Sequence, residues 1–117
     1  MDEKPVNRLL ILDKAETLLA ETYITTRQYP KYEKFVLAAE TRKKVEEFLL
    51  LIIRAEKKYY KKTTLQDADI LLEYIRNLFR FAVQQHYMNT KRYEIMARIT
   101  TELGKMLGGW IKQQRSK

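Results

Sequence analysis

The sequence predicts an all-α fold, an up-down-up-down antiparallel four-helix bundle. Apolar residues recur at spacings of three and four along four segments. No segment alternates with period two between turn signals, and only three glycines and two prolines interrupt the chain. Four segments of roughly 20 to 30 residues with short connections favour antiparallel neighbours. The 117 residues fit one domain over 1–117, with its core at 6–112. Such a chain buries about two-thirds of its unfolded surface and needs no metal or disulfide to fold.

Pro5 suits a first helical turn, where its missing N–H costs nothing. Pro30 biases Tyr29 away from helical geometry, so the first helix is expected to end just before it. Ile11, Leu12, Ala15, Leu18, Leu19, Thr22 and Tyr23 form the stripe between them. The second helix is predicted from near Tyr32 to Tyr60, with Ala38, Thr41, Val45, Phe48, Ile52, Ala55 and Tyr59 facing inward. It closes on Lys57-Lys58-Tyr59-Tyr60-Lys61-Lys62, and cations suit the carbonyl end of a helix. In the third, Thr64 and Asp67 are spaced as in a capping box, and Ala68, Leu71, Leu72, Ile75, Leu78, Phe79, Ala82 and His86 share one face. Asn89 or Thr90 caps the fourth, whose stripe is Tyr93, Met96, Ile99, Leu103, Met106 and Trp110. Gly108-Gly109 weakens its far end.

The composition removes several chemistries. There is no cysteine, hence no disulfide, zinc–thiolate site or thiol nucleophile, which fits a reducing cytoplasm as the expected location. The first residues do not combine a basic segment, an apolar run and a small-residue cleavage site, so no signal peptide is expected. The longest apolar run, Phe48 to Ile53, is far short of the ~20 residues that span a bilayer, and no membrane partner is expected. His86 is the only histidine and is expected to be structural or capping. Carboxylates fall at helical spacing from cations, as in Glu40/Lys44 and Glu94/Arg98, surface pairs worth about 0.2–0.5 kcal/mol each. Glu-x-x-His, the di-iron bundle signature, is absent. Gly104, Gly108 and Gly109 follow no strand and precede no GK[ST], so they make no phosphate loop. No catalytic residue, metal ligand or cofactor is expected, and the chain reads as a binding protein rather than an enzyme.

Charge speaks to partners. The formal net charge is +8, and its distribution is uneven: −1 over 1–29, +5 over 30–62, −1 over 63–89 and +5 over 90–117. This is the electrostatic footprint of a nucleic-acid binder, with an acidic protein, a membrane surface or a merely basic soluble surface as alternatives. Lysines neutralise phosphates and tyrosines stack on unpaired bases, so the interleaved Lys57–Lys62 segment is the first candidate. In the bundle it lies beside the end of the fourth helix. The candidate nucleic-acid contacts are therefore Arg54, Lys57, Lys58, Lys61, Lys62, Lys112 and Arg115, with Lys117 beyond them. A second group, Arg27, Lys31, Lys34, Lys91 and Arg92, gathers at the opposite end. Ordinary solvation of helix ends is the alternative for each cluster, and nothing in the pattern supports base-specific readout.

A second apolar seam lies off the core stripes. Ile70, Tyr74 and Phe81 define it on the third helix, Leu9, Leu10, Ala20 and Ile24 on the first, and Phe48 to Ile53 is apolar all the way round. Two apolar faces suit a homo-oligomer, with Leu10, Ile24, Ile70, Tyr74 and Phe81 as candidate interface residues. A wider core or scattered surface apolars is the alternative.

Three stretches carry a family resemblance. Pro30-Lys31-Tyr32-Glu33-Lys34-Phe35-Val36-Leu37 resembles a "PKxxRFxL" opening of the second helix. Leu78-Phe79-Arg80-Phe81-Ala82 resembles "LxRLA". Glu102-Leu103-Gly104-Lys105-Met106-Leu107-Gly108-Gly109-Trp110-Ile111-Lys112 resembles "EiGrmLGGWlk". These belong to the four-helix-bundle family of the accessory variability determinant (Avd) of diversity-generating retroelements. The family also holds proteins encoded in intervening sequences of bacterial large-subunit ribosomal RNA. The resemblance covers residues 10–112, and Lys34 and Phe81 depart from the commoner arginine and leucine. It implies a barrel-shaped homopentamer without a catalytic centre. Such a protein binds reverse transcriptase and template RNA, with DNA as a further ligand, and supports mutagenic complementary-DNA synthesis in which adenines are miscopied. The intervening-sequence branch implies a structural or interaction role with no nucleic-acid function, and basicity favours the Avd branch. In the last signature, Gly104 and Gly108 are expected to admit a close neighbouring helix, and Trp110 to cover the open end of the core.

Overall fold

The computed structural model of the chain describes residues 3–115, with side chains from Leu10 to Gln114. Four helices follow one another: α1 (Glu3–Thr26), α2 (Leu37–Lys57), α3 (Lys62–Gln84) and α4 (Thr90–Arg115), with a 3-10 turn at Lys31–Glu33. α1 packs on α2, α2 on α3, α3 on α4 and α4 back on α1, while the diagonal pairs share no close backbone approach. This is the predicted up-down-up-down all-α bundle, a rod of 47 × 23 × 19 Å, and no strand occurs among the described residues.

One stripe of each helix faces the shared core. α1 contributes Ile11, Ala15 and Leu18; α2 Val45, Phe48 and Ile52; α3 Leu65, Leu72, Ile75 and Phe79; α4 Met96, Leu103, Leu107 and Trp110. Leu107 is fully buried although it lies beside the expected stripe, and Tyr23 stays largely exposed. Threonine fills the core positions where the stripe turns polar. Thr22, Thr26, Thr41 and Thr100 are buried and each donates to the carbonyl four residues before, at 2.6, 2.8, 2.8 and 3.0 Å. Their hydroxyl donors are thereby satisfied within their own helices, and Thr26 Oγ1 also accepts the Arg42 guanidinium of α2 at 3.1 Å.

The helix ends differ from expectation in four places. α2 does not run on from Tyr32: the chain makes a 3-10 turn and α2 starts at Leu37. Glu33 explains the start, because its carboxylate accepts the Leu37 N–H at 3.2 Å and satisfies a free donor of the first turn. α2 also stops at Lys57, so Tyr59 and Tyr60 lie beyond it, exposed. Thr64 is not a cap; α3 begins at Lys62 and Thr64 is buried within it. His86 leaves the core face altogether. It adopts φ 65° just past α3, where its N–H donates to the Val83 carbonyl and the Tyr87 N–H to the Ala82 carbonyl, both at 2.9 Å. That pair of bonds is a Schellman motif, with histidine at the left-handed position usually held by glycine. At the start of α4 the two candidates resolve: Asn89 is the cap, its Oδ1 accepting the Arg92 N–H at 2.7 Å.

The glycine expectation is corrected too. A Cβ at Gly104 would meet Leu72 at an ordinary 3.9 Å, and one at Gly108 or Gly109 would meet nothing within 4 Å. No helix of the bundle approaches closely there, although Trp110 is buried at this end of the core as expected.

Replacing His86 with valine, whose branched side chain resists positive φ, is expected to lower stability by about 1–2 kcal/mol in urea unfolding. Glycine at the same position is expected to hold or raise it.

Candidate nucleic-acid interface

The connection between α2 and α3 is tied at both ends. The Lys58 N–H donates to the Arg54 carbonyl at 3.0 Å and closes α2. The Lys61 ammonium then folds back, donating to the Ala55 carbonyl at 2.9 Å and to the Lys58 carbonyl. The Lys61 carbonyl accepts the Leu65 N–H at 2.8 Å and opens α3. Lys61 therefore satisfies carbonyls that the end of α2 leaves open. Its half-buried side chain is a brace, while Lys57, Lys58 and Lys62 stay exposed.

This turn walls an open concavity of 730 Å³, lined by Lys57, Lys58, Tyr59, Tyr60, Lys61, Lys62 and, from α4, Gln114. Among the described residues no carboxylate lines it. Gln114 of α4 thus lies at the same end of the bundle as this turn and shares its concavity, although α2 and α4 are diagonal and share no close backbone approach. Arg54 lines the adjoining groove with Lys58, Tyr60, Lys62 and Asp67 instead. Lys112 is exposed on α4 but lines neither surface, and the Arg115 side chain and Lys117 lie outside the described residues.

The opposite end is less uniform. Arg27, Lys31 and Lys91 are exposed, and the Lys34 ammonium sits 5.4 Å from the Phe35 ring centroid. Arg92 is committed to the fold: it ion-pairs with Glu21 through both terminal nitrogens, and its Nε donates to Thr25 at 3.0 Å. Together with Lys14–Glu102 at 2.6 Å, this clasps α4 to α1. Nearby, the Tyr87 hydroxyl donates to Glu33 at 2.9 Å, and the Tyr29 and Tyr32 rings pack against Tyr87 at 5.7 and 6.3 Å. Hydrogen bonding with Tyr32, then with Glu33, holds the Tyr87 phenol above its usual range, and burial raises that of Tyr29. Sequence reading missed these clasps because each joins residues far apart in the chain. It also paired Lys44 with Glu40, whereas Lys44 meets Glu47 at 3.3 Å and Glu40 accepts the Tyr74 hydroxyl at 2.9 Å.

The candidate interface residues Leu10, Ile24, Ile70, Tyr74 and Phe81 all remain exposed, by 41–69 %. α1 and α3 are diagonal, so the two seams lie at opposite corners of the rod. Leu50 and Ile53 add exposed apolar surface on α2. The Leu9 side chain lies outside the described residues. Among the described residues no cluster of three or more acidic or histidine side chains is placed to hold a metal ion, and no helix is long and apolar enough to cross a membrane.

Arg92→Met is expected to lower stability by about 1–2 kcal/mol, read from denaturant unfolding, because it leaves half-buried Glu21 and buried Thr25 without the Arg92 donor. An unchanged midpoint would place Arg92 outside the fold's support. Lys14 holds the Glu102 carboxyl below its ordinary 4.5 by hydrogen bonding, against the opposing effect of burial. A lowered carboxylate stabilises the fold above the unfolded value and loses that contribution as pH falls through the folded one. Thermal melting of Glu102→Gln is therefore expected to depend less steeply on pH below 4.5 than that of the parent.

No curated protein matches the chain. The family model described as bAvd-like matches residues 9–114, which takes in all three quoted motifs and reaches from within α1 to the last turn of α4. The chain belongs to the bAvd-like family of accessory proteins of diversity-generating retroelements.

Proposed function

We propose that this protein is a non-catalytic accessory factor that binds the retroelement's reverse transcriptase and its template RNA, with DNA as a further ligand, and so supports mutagenic complementary-DNA synthesis. The observation that carries the nucleic-acid part is the concavity at the α2–α3 turn, where four lysines and two tyrosines converge with no carboxylate among the described lining residues. Family membership supports the reading of a polymerase partner. The protein acts as one domain in the cytoplasm, without cofactor or metal.

Self-association completes the reading. A two-fold dimer joins one patch to itself, whereas a ring joins two different patches head to tail. Exposed apolar seams at opposite corners suit the second arrangement, and a homopentamer is the ring the family resemblance implies.

The test combines light scattering, co-purification with the reverse transcriptase of the same element, and fluorescence anisotropy with its RNA at several salt concentrations. An oligomer that retains the polymerase and binds RNA with steep salt dependence is expected. Changing Lys57, Lys58 and Lys62 together to glutamine is expected to flatten the log–log salt slope by about 2, from ~0.7 per phosphate contact, with helix content unchanged. An oligomer with no RNA affinity even at low salt would overturn the nucleic-acid role and favour a structural bundle of the intervening-sequence type.

A further inference from the structure

We infer that Tyr59 and Tyr60 stack on unpaired bases, so that the α2–α3 turn selects single-stranded nucleic acid over duplex. The inference rests on the nucleic-acid reading above and names the form of strand that this site takes.

Both rings are 84 % exposed, the highest value among the described large apolar side chains. Exposure on this scale is not forced by a loose loop. The turn between them and the core is braced by Lys61 on one side and by the first turn of α3 on the other. The backbone is held, and the rings are held outward. Their centroids are 4.7 Å apart with planes at 88°. In that edge-to-face arrangement only one face of one ring is covered by its neighbour, and the remaining faces are open for stacking.

Charge is placed to match. Lys57, Lys58 and Lys62 line the same concavity as the two rings. Its 730 Å³ falls within the size range of small-ligand sites, so one or two nucleotides fit beside the tyrosines. Asp67 lines the adjoining groove and not the concavity. A strand lying across the turn would set its phosphates on the lysines and its bases on the rings. A duplex offers the same phosphates, but its bases already stack on one another and present no face. Lysines alone would bind both forms; the tyrosines discriminate between them.

The probes are a fluorescein-labelled oligouridine and an RNA duplex of equal length, compared by anisotropy on the full-length protein. The Tyr59→Ala/Tyr60→Ala double variant is expected to lose about tenfold or more in affinity for the single strand. Its salt slope and its duplex affinity are expected to stay as in the parent. Tyr59→Phe/Tyr60→Phe, which keeps the rings and drops the hydroxyls, is expected to bind like the parent. With both positions exposed, circular dichroism is expected to be the same for all three proteins. Equal single-strand affinity in the alanine variant, with RNA binding intact, would overturn the stacking role and leave the accessory function standing. Absence of RNA binding by the parent at low salt would overturn both.

Discussion

The shared core sets the terms for everything else in this molecule. Each helix spends one stripe on it, from Ile11 in α1 to Trp110 in α4. What remains outside is determined by that burial. The long sides of the rod keep apolar residues the core has no room for, and the lysines accumulate where helices end. Threonines let the same stripe pass through polar positions without an unsatisfied donor, since each of these hydroxyls bonds back to its own helix. Because the hydrophobic term is non-directional, it does not by itself fix how α4 sits against α1. The Arg92–Glu21 and Lys14–Glu102 pairs do that at two levels of the bundle.

Cations in this chain serve two purposes that composition cannot separate. Lys61 and Arg92 stood among the candidate contacts on charge alone, yet one holds the carbonyl end of α2 and the other closes the α1–α4 seam. Lys57, Lys58 and Lys62 have no comparable task within the described bundle, and they surround the exposed tyrosines. The brace and the patch are adjacent in sequence, which explains why a run of lysines reads as a single feature. The fold uses one of them to present the others.

The four helical stripes were legible because burial on one face of a helix writes a 3.6-residue period directly into the chain. Helix ends were less so. Nothing between Lys34 and Val36 announces a break, since no glycine or proline stands there, and the signal for the start of α2 is a glutamate four residues upstream. His86 has the spacing of a core residue near a helix end, where a structural and a capping role both fit; the structure gives it the capping position past the end of α3. The conformation that stops α3 depends on φ, which side-chain periodicity does not encode. Gly104 and Gly108 suggest a close helix contact by their spacing, whereas the structure leaves ordinary room before Leu72 at Gly104 and open space at Gly108. At the candidate interface the lysine–tyrosine run was visible from residue types alone. The long-range partners of Glu33, Arg92 and Lys14 needed the folded chain.

The placement of apolar residues along the flanks and of cations at the tips has a geometric consequence. Neighbours joined flank to flank by rotation about an axis parallel to the rod all point the same way. Every copy would then present its α2–α3 turn on one rim, and the other basic end on the opposite rim. A patch of three lysines and two rings is a weak ligand site by itself. Repeated around a rim, it becomes a multivalent collar whose successive engagements are intramolecular, each raising the local concentration for the next. A flexible strand long enough to pass from one turn to its neighbour would be retained far better than a short one, with no added contact in any single protomer.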